Sequence, residues 1–180
     1  MSVKNKFQAE YSQYLENFKE LSYDNRNKRS LCQNTTHQYY NFDKIVKDRS
    51  NKSTPASPDT LIFKKNKIYC VEFKNSFFNQ ISASNIKKKL ENGHQVLSAI
   101  FKELDLQLKD YQLIFCVVCK GFDENEAEKQ RWSEIRRGIE SEIRFDLKQY
   151  IGVYCDDILT KDIDFFREQF IKKINKNLPC

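Results

Sequence analysis

The sequence predicts an α/β fold in one domain that spans residues 1–180. Two apolar runs around a short polar break predict a β-hairpin over 57–74. A nearly continuous apolar run over 111–118 predicts a strand that is buried on both faces. Apolar residues at helical spacing predict helices before, between and after these strands. A chain of this length suits a single hydrophobic core, and it contains no repeats and no sign of a second domain.

The N-terminal part begins with a predicted helix over 5–22. Its apolar residues form one stripe and are Phe7, Tyr11, Tyr14, Leu15, Phe18 and Leu21. Residues 23–57 are polar and are predicted to form a long loop, within which 39–46 is predicted as a short strand or helix. Loops of this length usually carry function or are mobile.

The hairpin has Lys65 and Asn66 as its predicted two-residue turn. This turn sets a register in which Asp59 faces Glu72, with β-carbons roughly 5 Å apart. Lys74 lies two residues beyond Glu72 and therefore on the same face. Two carboxylates and one ammonium should converge at the end of the hairpin that is far from the turn. A one-residue change in turn length would break this register.

Facing carboxylates repel each other, which is unusual in a purely structural sheet. A divalent cation between Asp59 and Glu72 would remove the repulsion, and hard oxygen ligands suit Mg²⁺ or Mn²⁺. Lys74 could then orient or deprotonate a metal-bound water. The alternative is a solvent-exposed strand face that carries an ordinary Glu-x-Lys pair.

The sequence Pro58-Asp59, followed by a hairpin and by Glu72-Phe73-Lys74, resembles the signature of the PD-(D/E)XK nuclease superfamily. The resemblance covers about residues 5–120 and includes the order of the downstream elements. It implies a restriction-endonuclease-like core, in which a mixed β-sheet is flanked by helices. It also implies that Asp59 and Glu72 are catalytic residues that bind Mg²⁺ or Mn²⁺. The backbone carbonyl of Phe73 would be a further ligand, and Lys74 would assist the attacking water.

The superfamily often takes a further acidic ligand from the first helix. Glu10 lies near the apolar stripe of that helix, whereas Glu16 and Glu20 point away, so Glu10 is the better candidate. Some viral cap-snatching endonucleases of the superfamily use an upstream histidine as a metal ligand, and His37 is the candidate here. A solvated helix-flank carboxylate and a surface-loop histidine are the alternatives for these two residues.

A helix is predicted over 81–106, and Gly93 on its apolar face indicates close packing on the sheet. Many members of the superfamily carry a catalytic Gln or Lys on this helix. Gln95 matches by residue type but points away from the apolar stripe, whereas His94 and Lys89 lie on the borders of the stripe. The rest of the chain is predicted to form a helix over 126–148, a strand over 151–155 and a closing helix over 163–175.

The net charge of +6 is compatible with a nucleic-acid partner. Candidate phosphate contacts are Arg26, Lys28 and Arg29 in the polar loop and Lys87, Lys88 and Lys89 on the long helix. A solvated charged face is the alternative. The pair Cys116 and Cys119 has CxxC spacing but no second pair at the spacing of a zinc site.

No apolar run approaches the ~20 residues of a membrane span, and the N-terminus lacks the apolar core of a signal peptide. We therefore expect an intracellular, reducing compartment and no membrane partner. The function expected from the resemblance is a metal-dependent nuclease that hydrolyses DNA or RNA. The alternative is a catalytically silent subunit with the nuclease fold, which binds nucleic acid or acts as a scaffold in a larger assembly. The sequence leaves open whether the substrate is DNA or RNA, and whether the chain forms a homodimer or joins a larger assembly.

Overall fold

The structure of the chain is a computed structural model that describes residues 3–50, 53–121 and 143–166. Its centre is a six-stranded sheet with both antiparallel and parallel pairs. Apolar side chains from helices pack on both faces of the sheet. The predicted α/β fold with a mixed, helix-flanked sheet is therefore confirmed.

The N-terminal segment contains four short elements instead of one long helix. They are α1 (Val3–Tyr11), a 3-10 turn (Ser12–Tyr14), β1 (Leu15–Asn17) and α2 (Phe18–Leu21). Asn17 Oδ1 accepts a hydrogen bond from Glu20 N, and Glu20 Oε2 accepts one from Asn17 N, both at 3.0 Å. This capping box starts a new helix at Phe18, while the extended residues before it pair with residues 38–40. The single helix predicted over 5–22 is therefore wrong beyond Tyr11.

The polar segment 23–57 contains more regular structure than the sequence predicted. Its elements are the two strands of a small separate hairpin, β2 (Tyr23–Asp24) and β3 (Arg29–Ser30), followed by β4 (Gln38–Asn41) and α3 (Phe42–Arg49). Both a strand and a helix occur where one or the other was predicted over 39–46. Asn41 ends β4 and caps α3, because its Oδ1 accepts a hydrogen bond from Lys44 N at 2.8 Å.

The central hairpin consists of β5 (Thr60–Lys64) and β6 (Lys67–Lys74). Thr60 pairs with Val71 and Lys64 pairs with Lys67, so the predicted register is confirmed. The turn takes its positive φ, 53°, at Lys65.

The sheet combines an antiparallel meander with parallel strands. Strands β4, β5 and β6 form the meander, and β1 extends it at one edge. Helix α4 (Ala83–Glu103) then crosses to β7 (Gln112–Cys119), which is parallel to β6, and β8 (Asp157–Asp162) is parallel to β7. The strand order is β1-β4-β5-β6-β7-β8.

Strand β7 is buried on both faces, as predicted. Its Leu113, Phe115 and Val117 pack with α1 and α4 on one side of the sheet. Its Ile114 and Cys116 lie on the other side with residues of α2. This double burial is typical of a strand with parallel neighbours and helices on both faces.

The C-terminal predictions are corrected in two places. Residues 151–155 form a turn closed by an isolated bridge, and the last strand is instead β8, whose charged ends concealed it in the sequence. The helix predicted over 126–148 falls mostly outside the described residues, but it does not extend to Lys148, which begins a 3-10 turn (Lys148–Tyr150). The closing helix begins at Ile163 as predicted, and the remainder of 163–175 beyond Phe166 lies outside the described residues.

Among the described residues, no helix has both the length and the apolar character needed to cross a membrane.

The described cysteines are in two states. Cys70, Cys116, Cys119 and Cys155 are buried and free, whereas Cys32 is disulfide-bonded. Burial raises the pKa of Cys119 to about 12, so its thiol stays protonated at neutral pH.

Candidate metal centre

Asp59 lies directly before β5, where one hydrogen bond joins its side chain to β6 and another joins its backbone to the start of α3. Its Oδ2 accepts a hydrogen bond from the backbone N–H of Phe73 at 2.6 Å. Its backbone oxygen accepts one from the N–H of Phe42 at 2.9 Å. The bond to Phe73 holds Asp59 beside Glu72, as the predicted register required, and one ammonium contacts both carboxylates.

Glu72 is the buried centre of this site. Its side chain is 0% exposed, and each of its carboxylate oxygens contacts an ammonium group. Lys74 Nζ lies 2.7 Å from Oε1, and Lys89 Nζ lies 2.7 Å from Oε2. Burial of a carboxylate without such partners would cost several kcal/mol, and contacts with these two lysines offset that cost for Glu72.

Lys89 joins the two carboxylates, although helical spacing predicted only that it lies at the border of the apolar stripe of its helix. Its Nζ also lies 3.3 Å from Asp59 Oδ1, and its side chain is 19% exposed. The positioning comes from α4, on which Gly93 is four residues further along and therefore on the same face. A β-carbon at position 93 would lie 2.5 Å from Pro58 Cδ, so only glycine lets α4 pack this closely against the residue that precedes Asp59.

The electrostatics of the site reflect two carboxylates and two ammonium groups in a small volume. Burial and the neighbouring Glu72 raise the pKa of Asp59 to about 7, against the opposing effects of Lys89, the Phe73 N–H and Lys74. Burial lowers the pKa of Lys89, but Glu72 and Asp59 outweigh that effect and hold it above its usual range. Lys89 is therefore a permanent cation in this site, whereas Asp59 titrates near neutral pH.

The donor chemistry of the site fits a hard divalent cation. Mg²⁺ is commonly held by one or two protein carboxylates together with water and substrate phosphates. Glu72 Oε1 is buried and has no hydrogen bond within the described part of the chain, because the contact with Lys74 lacks hydrogen-bond geometry. Asp59 and Glu72 could therefore hold Mg²⁺ or Mn²⁺. No cluster of three or more His, Cys, Asp or Glu suited to a metal occurs in 3–50, 53–121 or 143–166.

A cleft of about 830 Å³ reaches the site at Asp59. Its walls carry both signs of charge and several amides. The lining residues include Glu16, Glu20, Asp43, Lys19, Lys44, Lys47, Asn17, Asn25 and Asn41. The cleft is large enough for part of a polymeric ligand, and Asp59 is the residue of the site that it contains.

Glu16, and not Glu10, lies in this cleft. Glu10 is exposed on α1 and does not line it. Glu16 belongs to β1, where its carboxylate accepts a hydrogen bond from Asn41 Nδ2 at 2.7 Å and pairs with Lys44. The sequence argument that favoured Glu10 is wrong, because it assumed one continuous helix through both residues.

Three further candidates from the sequence lie away from Asp59 in the structure: His37, His94 and Gln95. His37 is half-buried directly before β4, with its Nδ1 3.0 Å from Thr36 Oγ1. His94 stacks edge-on against Tyr154 in a separate cavity of about 280 Å³, and burial lowers its pKa. Gln95 is exposed. Of the residues considered on the long helix, Lys89 is the one that reaches the site.

The basic residues predicted to contact phosphates occupy different environments. Lys88 is exposed, but Lys87 Nζ lies 3.3 Å from Asp146 Oδ2 and Lys89 is bound to the carboxylates. Of the three lysines, Lys88 is therefore the one whose ammonium has no carboxylate contact among the described residues, and their contact with phosphates stays a prediction.

Arg26, Lys28 and Arg29 are exposed on the small β2–β3 hairpin. That hairpin contacts Asn75, the residue after Lys74: Asn75 Nδ2 donates to Arg29 O at 3.1 Å, and Asn27 Nδ2 donates to Asn75 O at 3.4 Å. Nothing in the sequence predicted this contact, which attaches the hairpin that carries the three basic residues to the end of β6.

Comparisons with known proteins identify no relative. No protein-family model matches the chain, and no curated protein or solved structure is significantly similar to it.

Proposed function

We propose that this chain is a metal-dependent nuclease of the PD-(D/E)XK type, with a restriction-endonuclease-like core. The observation that carries the proposal is the convergence of Asp59, Glu72 and Lys74 beside an open cleft. The order of elements supports it: an antiparallel meander, a crossover helix and a parallel strand follow one another as in that superfamily. The substrate class is a nucleic acid, DNA or RNA.

The residues of the site have distinct roles in this proposal. Asp59 and Glu72 hold the cation, and the backbone carbonyl of Phe73 is the further candidate ligand. The bound Mg²⁺ or Mn²⁺ supplies Lewis acidity for the attacking water and for the scissile phosphate. Glu72 is rigid because it is buried, and the Phe73 N–H fixes the rotamer of Asp59. Such fixed positions reduce the reorganisation that the reaction requires.

Lys74 is the proposed catalytic cation. Its side chain is 29% exposed, so the ammonium is partly accessible while it remains 2.7 Å from Glu72. From this position it can orient a water molecule and stabilise negative charge that develops on the phosphate. Because the ammonium lies directly beside Glu72, we assign Lys74 a positioning and electrostatic role.

A second function is favoured by the charge balance of the site. Lys74 and Lys89 already neutralise both carboxylates, so the fold does not require a metal to relieve their repulsion. This balance supports a catalytically silent protein with the same fold, which binds nucleic acid or acts as a scaffold in a larger assembly.

Lys74→Ala tests the nuclease function. The substitution removes no proposed ligand, so Mn²⁺ binding measured by calorimetry should persist, while cleavage of plasmid, single-stranded DNA and RNA should fall by about 10²-fold or more. Asp59→Asn removes ligand charge at nearly constant volume and should reduce both metal binding and cleavage. Lys102→Ala removes an exposed charge from the last turn of α4 and should change neither.

The two functions give different results in this set of variants. If the wild-type protein cleaves and Lys74→Ala cleaves equally well, Lys74 is not a catalytic residue. If the wild-type protein cleaves none of the three substrates with Mg²⁺ or Mn²⁺, the silent-subunit function replaces the enzyme.

A further inference from the structure

The ammonium of Lys89 occupies the gap between the two candidate ligand carboxylates. Its Nζ is 2.7 Å from Glu72 Oε2 and 3.3 Å from Asp59 Oδ1. Asp59 precedes β5 and Glu72 lies in β6, so the pairing of these two strands brings the two carboxylates together. Lys89 is thus the one described cation that contacts both carboxylates.

A divalent cation that bridges the same two oxygens, Asp59 Oδ1 and Glu72 Oε2, must enter the same gap. Mg²⁺ lies about 2.0–2.1 Å from its oxygen ligands, which is shorter than the ammonium contacts of Lys89. Two cations confined to one small, partly buried gap repel each other strongly, because the effective dielectric constant there is low. The ammonium and the metal therefore cannot both contact this pair of oxygens.

We propose that Lys89 is a tethered cation that holds the two carboxylates together without metal, and that a divalent cation binds only when this ammonium leaves them. The proposal rests on the metal site of the proposed function. It makes Lys89 a positioning residue that sets the affinity of the site for metal. An exchange of this kind links metal loading to a movement of one side chain.

The structure allows this exchange without movement of α4. The side chain of Lys89 is 19% exposed, so its head group lies near the surface. Four flexible methylene groups separate the ammonium from the helix backbone. Gly93 holds α4 against Pro58 independently of Lys89, so the carboxylates and the helix can remain in place while the ammonium turns outward.

Lys89→Met tests the proposal through metal affinity alone. Methionine retains an unbranched side chain of similar length but cannot compete for the carboxylates. We expect Mn²⁺ to bind about tenfold tighter or more, which is within the range of coupling between competing ligands. Calorimetry should be done near pH 8.5, so that protons do not replace the lost ammonium on Asp59. Lys88→Met removes an equal charge from the same helix and should leave the affinity unchanged.

A second measurement uses the wild-type protein and does not depend on any variant folding. An amine-reactive acetylating reagent, with mass-spectrometric readout, reports how accessible each lysine is. Saturating Mn²⁺ should increase the acetylation rate of Lys89 several-fold, because the displaced ammonium becomes accessible. The rate at Lys88, which is already exposed, should not change.

The outcomes separate this proposal from the proposed function. Tighter Mn²⁺ binding by Lys89→Met and faster acetylation of Lys89 support the exchange. If Mn²⁺ binds to Lys89→Met but not to the wild-type protein, the result also supports competition between Lys89 and the metal. In that case Lys89 permanently replaces the metal, and the proposed nuclease function is overturned. Unchanged affinity and unchanged acetylation, with wild-type binding intact, overturn the exchange and leave the metal site standing. Absence of Mn²⁺ binding in both proteins overturns both proposals.

Discussion

Gly93 on α4 packs so closely against Pro58 that a β-carbon at position 93 would lie 2.5 Å from Pro58 Cδ. Pro58 directly precedes Asp59, so this contact fixes the start of β5 relative to the helix that carries Lys89. The same face of α4 therefore supports one carboxylate through Pro58 and contacts both carboxylates through Lys89. The site depends on helix packing as well as on the hairpin.

Gly93→Ala should destabilise the protein and weaken metal binding. Alanine normally stabilises a helix relative to glycine by about 0.5–1 kcal/mol. Here the added methyl group must displace the Pro58 ring, and overpacking of this kind typically costs about 1–3 kcal/mol. Urea denaturation should show the loss, and Mn²⁺ calorimetry should show weaker binding. Gln95→Ala, on an exposed position of α4, should show neither effect, and a more stable Gly93→Ala would contradict the packing argument.

Asp59 should make the stability of the metal-free protein depend on pH. Burial and Glu72 raise its pKa to about 7 in the folded state, above its value of about 3.9 in an unfolded chain. The folded protein therefore binds the proton more tightly than the unfolded chain does. This contribution to the free energy of unfolding is complete below about pH 4 and is lost as the pH rises through about 7.

Urea denaturation of the wild-type protein and Asp59→Asn across this pH range, with a chelator present, measures that contribution. The wild-type protein should lose stability relative to the variant as the pH rises. Parallel curves would show that Asp59 has an ordinary pKa in the folded state.

The hairpin could be predicted because its geometry is local. Turn length and strand alternation determine which residues face each other, so they were sufficient to place Asp59 opposite Glu72. Strand β7 was equally clear, because burial on both faces leaves an almost continuous apolar run. These features do not depend on how distant segments pack.

The remaining parts of the site depend on packing between segments that are distant in sequence. Helical spacing placed Lys89 at the border of its stripe, but the docking of α4 on Pro58 decides that it reaches Glu72. The apolar residues over 5–22 lie at the spacing expected for one continuous helix. In the structure, the same residues are distributed over α1, the 3-10 turn, β1 and α2. The Asn17 and Glu20 capping box was the local signal that marked the break.

Glu16→Gln should weaken Mn²⁺ binding by a few-fold, whereas Glu10→Gln should not. Glu16 lines the same cleft as Asp59, and its negative charge favours a cation there even without direct contact. Glu10 is exposed on α1 outside the cleft. Calorimetry of both variants at low ionic strength compares the two effects, because salt would screen them. Equal affinities in the two variants would show that the cleft charge does not reach the metal site.

The β2–β3 hairpin should supply much of the affinity for nucleic acid. Arg26, Lys28 and Arg29 are exposed on it, and two hydrogen bonds attach this hairpin to Asn75, the residue that follows Lys74. Replacing all three by glutamine should weaken binding of a short DNA or RNA. It should also reduce the slope of log affinity against log salt by up to about 2–3, as expected when that many phosphate contacts are lost. Fluorescence anisotropy at several salt concentrations gives both quantities.

A matched control removes the same charge from the opposite end of the sheet. Lys65, Lys102 and Lys109 are exposed near the start of β6, the end of α4 and the start of β7. Their triple replacement by glutamine changes the net charge by the same amount but leaves the β2–β3 hairpin intact. If both triple variants lose affinity equally, binding reflects net charge alone. If only the hairpin variant loses affinity while its Mn²⁺ binding is unchanged, nucleic acid lies across the hairpin and next to Lys74.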